Sequence, residues 1–119
     1  MERPQSELEE LKRVYARTLV GGEANVPYYL ISDVGLPEHC NPRVVDVLLC
    51  PVEQAGYPSR MYFSQRIDRP PHPDPNRRLN WTGVMRVMER NWSVLSWRVG
   101  AGVNQRLLQM VAAHLEPFQ

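Results

Sequence analysis

Residues 43–50 read RVVDVLLC and form the most apolar run in the chain. A continuous run of this length, rich in β-branched side chains, predicts a central strand covered on at least one face. Working outward, Val26 to Val34 (VPYYLISDV) and Met61 to Ile67 (MYFSQRI) carry the aromatic and β-branched residues of two further strands. Pro27 suits an edge strand or a strand start, because it offers no ladder donor. The segments between them, GLPEHCNP at 35–42 and QAGYPSR at 54–60, are short and rich in turn residues. Consecutive strands joined in this way predict an antiparallel meander of three to four strands.

Helices are expected at both ends. Ser6 and Glu9 form an S-x-x-E capping pattern, and Leu8, Leu11, Tyr15 and Leu19 follow at helical spacing before Gly21-Gly22. They predict a helix over about 6–19. Val103, Leu107, Met110, Val111 and Leu115 predict a second helix, ended by Pro117. Between the last clear strand and that helix lies DRPPHPDPNRR at 68–78, with four prolines in eleven residues. Each proline removes a donor and biases its predecessor to extended geometry, so a long loop is expected there. Residues 79–97 are ambiguous: VMRVM at 84–88 fits either a short strand or a helical turn, and Trp92 and Trp97 flank a serine-containing turn. The expected class is α+β, a single domain spanning 1–119 with helices packed on the meander.

A chain of 119 residues with 43% hydrophobic content can bury one core. Its formal net charge of +1 supplies no global field for nucleic acid or a membrane surface. The cations are thirteen arginines and one lysine, Lys12. A GC-rich, bacterial-type coding sequence explains that imbalance, as does avoidance of acceptor amines. Two cysteines, Cys40 and Cys50, cannot make a four-cysteine zinc site. His39, Cys40 and His72 lack the common zinc spacings, so no metal is expected. The charged first residues and the lack of a long apolar run lead to the expectation of a cytoplasmic protein without a membrane partner. No phosphate-binding, dinucleotide or hydrolase motif occurs, and no cofactor is expected.

Several short motifs nevertheless stand in a distinctive order. Tyr57-Pro58 precedes the strand Met61-Tyr62-Phe63, and thirteen residues separate Pro58 from His72-Pro73. Asn76 and then Trp92-Ser93 follow. In this order the chain resembles the ubiquitin-conjugating enzyme fold, including its inactive variants and the related RWD domains. Members open with an amphipathic helix and a meander, followed by a tyrosine-proline turn, a strand, a histidine-proline-asparagine segment, a catalytic cysteine and a tryptophan. Here Asn76 is displaced by two positions, and the proline after tryptophan-serine is missing. The cysteine position falls on Thr82 or Val84, and 77–119 contains no cysteine. Thioester transfer needs a thiolate, which neither side chain can supply.

The resemblance therefore implies a non-catalytic binding module that docks a ubiquitin-like protein or its activating enzyme. The expected partner-binding residues are His72, Asn76, Arg78 and Trp81, where rigid prolines adjoin aromatic and arginine anchors. Trp92 and Trp97 are expected in the core. Plainer roles stand beside these: Tyr57-Pro58 as a rigid turn, His72 as a solvated loop histidine, and all three tryptophans as core. Two alternatives remain open. An atypical conjugating enzyme would use Cys40, which follows His39 in a loop and is the more accessible thiol, or Cys50, at the end of an apolar strand. A single-stranded nucleic-acid binder would stack bases on tryptophans between arginines.

Overall fold

The computed structural model describes residues 3–99 and 105–119. Helix α1 spans Gln5–Val14 and is followed by strands β1 (Thr18–Glu23), β2 (Val26–Gly35), β3 (Val44–Cys50) and β4 (Arg60–Phe63). Strands β5 (Trp81–Val87) and β6 (Arg90–Leu95) form a hairpin, and helix α2 covers Leu107–Leu115. One six-stranded sheet has the order β1-β2-β3-β4-β6-β5, with every neighbouring pair antiparallel. The run at 43–50 is interior as expected, pairing β2 through Leu30↔Leu48 and β4 through Leu48↔Tyr62. The class is α+β, with a helix before the sheet and a helix after it.

Several expectations are corrected. The first helix ends at Val14, and Leu19 lies in β1, 65% exposed. Thr18 and Val20 suit extended backbone, and the chain reverses at Ala24-Asn25, both at positive φ (52° and 66°), rather than at the glycines. Ser6 does not cap α1: the N-cap is Pro4 and no side chain serves there. The sheet has six strands rather than three to four, because the stretch left between strand and helical turn forms β5 and β6. Ser93 sits inside β6, opposite Val84, so no serine turn separates Trp92 from Trp97. Pro27 is near the start of β2 but not on an edge strand. Strand β4 stops at Phe63, and α2 begins at Leu107, with 103–104 outside the described residues. The proline-rich stretch is broken by an Asn41–Asp68 bridge and a short 3-10 turn at Pro75–Arg77.

Alternation along the strands sends side chains to two apolar clusters. On one face Ile31, Val47, Leu49 and Phe63 pack with Leu11 of α1 and with Leu107, Val111 and Leu115 of α2. The helices are tied to each other: Glu7 Oε1 accepts the Leu107 N–H at 3.1 Å, and Arg106 Nε donates to Glu10 Oε1 at 2.9 Å. Glu7 thereby satisfies a donor at the start of α2 that has no intrahelical partner.

The opposite face gathers Tyr28, Leu48, Cys50, Tyr62, Val87 and Trp92, all from strands. There the sheet coils until the tip of the β5–β6 hairpin meets β1. Met88 N–H donates to Glu23 Oε1 at 3.0 Å, and a Cβ on Gly21 would stand 2.7 Å from the Met88 methyl carbon. Trp92 is enclosed, its indole N–H donating to Val87 O at 3.2 Å. Arg90 covers its ring at 4.6 Å and pairs with Asp46 at 2.8 Å. Among the described residues no helix is long and apolar enough to cross a membrane.

Candidate functional site

The segment between β4 and β5 is shaped by its own hydrogen bonds. Asp74 Oδ1 accepts the Asn76 N–H at 2.9 Å and Asp74 O accepts the Arg77 N–H at 3.0 Å, closing the 3-10 turn behind Pro75. His72 Nδ1 accepts the Asp74 N–H at 3.0 Å, which leaves the proton of the neutral ring on Nε2. Asp68 and Asn41 exchange two backbone hydrogen bonds of 2.8 Å each.

Two arginines fix this segment to the C-terminal turn. Arg69 Nε donates to Pro117 O at 2.6 Å, and its other nitrogens reach Pro70 O and Arg77 O. Arg77 donates to Glu116 Oε1 at 3.2 Å and to Glu116 O at 3.0 Å. A loop held at both ends loses little entropy when a ligand arrives.

The pinned segment borders a cavity of about 530 Å³ that gathers His72, Arg78 and Trp81 with Leu79 and three of the prolines. Trp81 packs edge-on to Phe63 at 5.6 Å and lies over Phe118 at 6.3 Å. Its Nε1–H is buried without an acceptor among the described residues. Arg78 is exposed and forms no ion pair among the described residues. Three of the four expected partner-binding residues are therefore brought together. Asn76 is the exception: it is exposed in the 3-10 turn and does not line the cavity.

The cysteines lie elsewhere. Cys40 was expected to be the more accessible, yet it is only 3% exposed, with Sγ 3.5 Å from Phe118 O. His39 Nε2, beside it in the chain, also meets Phe118 O, at 2.7 Å. Cys50 is fully buried, with Sγ 3.6 Å from Val52 O. Burial pushes both thiols above their ordinary pKa, against the thiolate that transfer chemistry needs. Val84 is 67% exposed on the outer strand β5, and the Thr82 hydroxyl donates to Val94 O at 3.4 Å.

Two groupings escaped sequence reasoning. Ser59 Oγ and His114 Nε2 lie 2.9 Å apart in the interior, 55 positions apart in sequence and with no local pattern to link them. Burial first, and then the Arg60 charge, push the His114 pKa down to about 4. The second grouping surrounds Tyr57, whose ring has guanidinium carbons of Arg60 and Arg98 at 4.0 and 4.7 Å from its centroid. The tyrosine-proline turn was the available signal for it. Neither a protein-family model, nor a curated protein, nor a solved structure matches this chain.

Proposed function

We propose that this chain is a non-catalytic domain of ubiquitin-conjugating-enzyme type, docking a ubiquitin-like protein or its activating enzyme through the 68–81 segment. The observation that carries this is the cavity beside Trp81, where a pinned proline-rich loop presents His72 and Arg78, the latter without an ion pair among the described residues. Rigid backbone, an aromatic floor and an arginine are the composition in which interface energy concentrates. The order of elements agrees: α1, four consecutive strands with Tyr57-Pro58 before the fourth, and His72-Pro73 after it. The β5–β6 hairpin, with Trp92 on β6, occupies the stretch where the family carries its cysteine and tryptophan.

Buried thiols of raised pKa favour docking over transfer through Cys40 or Cys50. The nucleic-acid alternative gains nothing from Trp92, which is enclosed under Arg90 and offers no open ring face for a base.

The test combines the chain with a ubiquitin-like protein, its activating enzyme and ATP. A non-reducing gel is expected to show no thioester on this chain, while calorimetry shows binding that weakens in Arg78→Ala. A thioester lost in Cys40→Ser or Cys50→Ser overturns the docking role in favour of catalysis. Undiminished binding by Arg78→Ala combined with His72→Ala moves the interface elsewhere.

A further inference from the structure

We propose that Tyr57, Arg60, Ser96 and Arg98 form a binding site for a doubly charged oxyanion of the phosphate class, independent of the docking role above. The site begins in a tight turn. Gln54 and Tyr57 exchange two backbone hydrogen bonds of 2.9 Å each, with Ala55 and Gly56 at φ of 50° and 87°. That turn fixes Tyr57 in place. The Tyr57 hydroxyl then meets Ser96 Oγ at 3.2 Å, at the end of β6.

Both guanidinium groups are held before any ligand arrives. Arg60 stands 4.0 Å from the Tyr57 centroid and donates to Leu95 O at 3.2 Å. Arg98 stands 4.7 Å from the same centroid and donates to Gly56 O at 2.8 Å. Each guanidinium carries five N–H donors, so most of both forks remain for an acceptor. The two hydroxyls share one hydrogen bond between them, which leaves one hydroxyl hydrogen to donate outward.

Arg3, Arg17, Arg77, Arg90 and Arg106 each pair with a carboxylate. Arg60 and Arg98 have no such partner among the described residues, although they converge on one ring. Their fields, together with the Ser96 hydrogen bond as the larger cause, hold the Tyr57 phenol below its ordinary pKa. Two ordered, like charges with no carboxylate partner among the described residues favour an anion, and a guanidinium fork matches phosphate geometry. A phosphate monoester, with a second pKa near 6, brings about two negative charges at neutral pH, whereas a carboxylate brings one.

The test is an NMR titration of the whole chain at neutral pH and constant ionic strength, following the Arg60 and Arg98 Nε–H signals. Inorganic phosphate is expected to shift them along a saturable curve, with acetate at least ~10-fold weaker. Arg98→Gln is expected to weaken phosphate at least ~10-fold while the backbone spectrum stays dispersed, and Arg98→Lys to recover only part of the loss. AMP and O-phosphoserine supply the source: whichever binds tighter than inorganic phosphate identifies what carries the group, and equal binding assigns the free ion. A shift that stays linear, equal responses to acetate and phosphate, or an unaltered curve in folded Arg98→Gln overturns the site.

Discussion

Ser59 and His114 share a 2.9 Å hydrogen bond with both side chains withdrawn from water. Above pH 6.5 the histidine is neutral in both the folded and unfolded chain, and pH does not matter to it. As pH falls from 6.5 towards 4 the unfolded chain takes up a proton that folded His114 refuses, so stability is lost across that window. The loss amounts to about 3 kcal/mol and is complete below about pH 4. Urea midpoints at pH 7 and pH 4.5 measure it, and His114→Gln, which can still hydrogen-bond Ser59, is expected to flatten the difference. Asp46 adds a lower window. Burial opposes its charge, but Arg90, the Asp33 N–H and Arg17 together outweigh that and hold its pKa below 3.8, so its contribution is lost only on further acidification.

Glu7 is the second test of stability. It accepts hydrogen bonds from the Leu107 N–H and from Arg3, each at 3.1 Å, while nearly enclosed. Glu7→Ala strands a buried donor and is expected to cost about 2 kcal/mol in chemical denaturation. Glu7→Gln keeps an acceptor and is expected to cost less.

The β5–β6 turn carries its two residues, Met88 and Glu89, at φ of 51° and 62°. Left-handed backbone costs a non-glycine residue about 1–2 kcal/mol, partly offset by the greater freedom of glycine when unfolded. Glu89→Gly is therefore expected to stabilise the protein, seen as a raised melting temperature. A lowered one counts against the turn geometry.

At the cavity, Arg78 is the clean probe because it is exposed and forms no ion pair among the described residues, whereas Trp81 also supports Phe63 and Phe118. Arg78→Ala is expected to cost about 2 kcal/mol of partner binding and to change stability by less than about 0.5 kcal/mol. Trp81→Phe keeps the ring packing and deletes the unpartnered N–H, so its melting temperature is expected to stay close to that of the parent.

Thiol labelling checks the placement of the cysteines. With both buried and both pKa values raised, a thiol-reactive dye at pH 7 is expected to label neither Cys40 nor Cys50 until the chain unfolds. Rapid labelling of the native protein contradicts that.

The strands β2 and β3 were legible because apolar content and β-branching act locally. Strand β1 was not: Leu19 happens to extend the helical spacing of Leu8, Leu11 and Tyr15, and two glycines resemble a helix stop. The β5–β6 hairpin was hidden for another reason, since Met88-Glu89 carries none of the glycine or asparagine that marks a two-residue turn. At the site, His72, Arg78 and Trp81 lie close in sequence, and one proline-rich stretch announces them. Arg98 meets Gly56 across 42 residues, a juxtaposition that only the sheet creates.

The clasp between the two helices also sets an order of events in folding. Glu7 reaches Leu107 at a sequence separation of 100, and Glu10 reaches Arg106 at one of 96. Closing so large a loop before the sheet exists costs entropy with few contacts to offset it. The β1–β2 and β5–β6 hairpins, each turning through two residues, close far sooner. Nucleation is therefore expected in the hairpins and their joining through β3 and β4, with the contact between the two helices formed late. Any opening that releases α2 also releases His114 and the carbonyls of the C-terminal turn that hold Arg69 and Arg77.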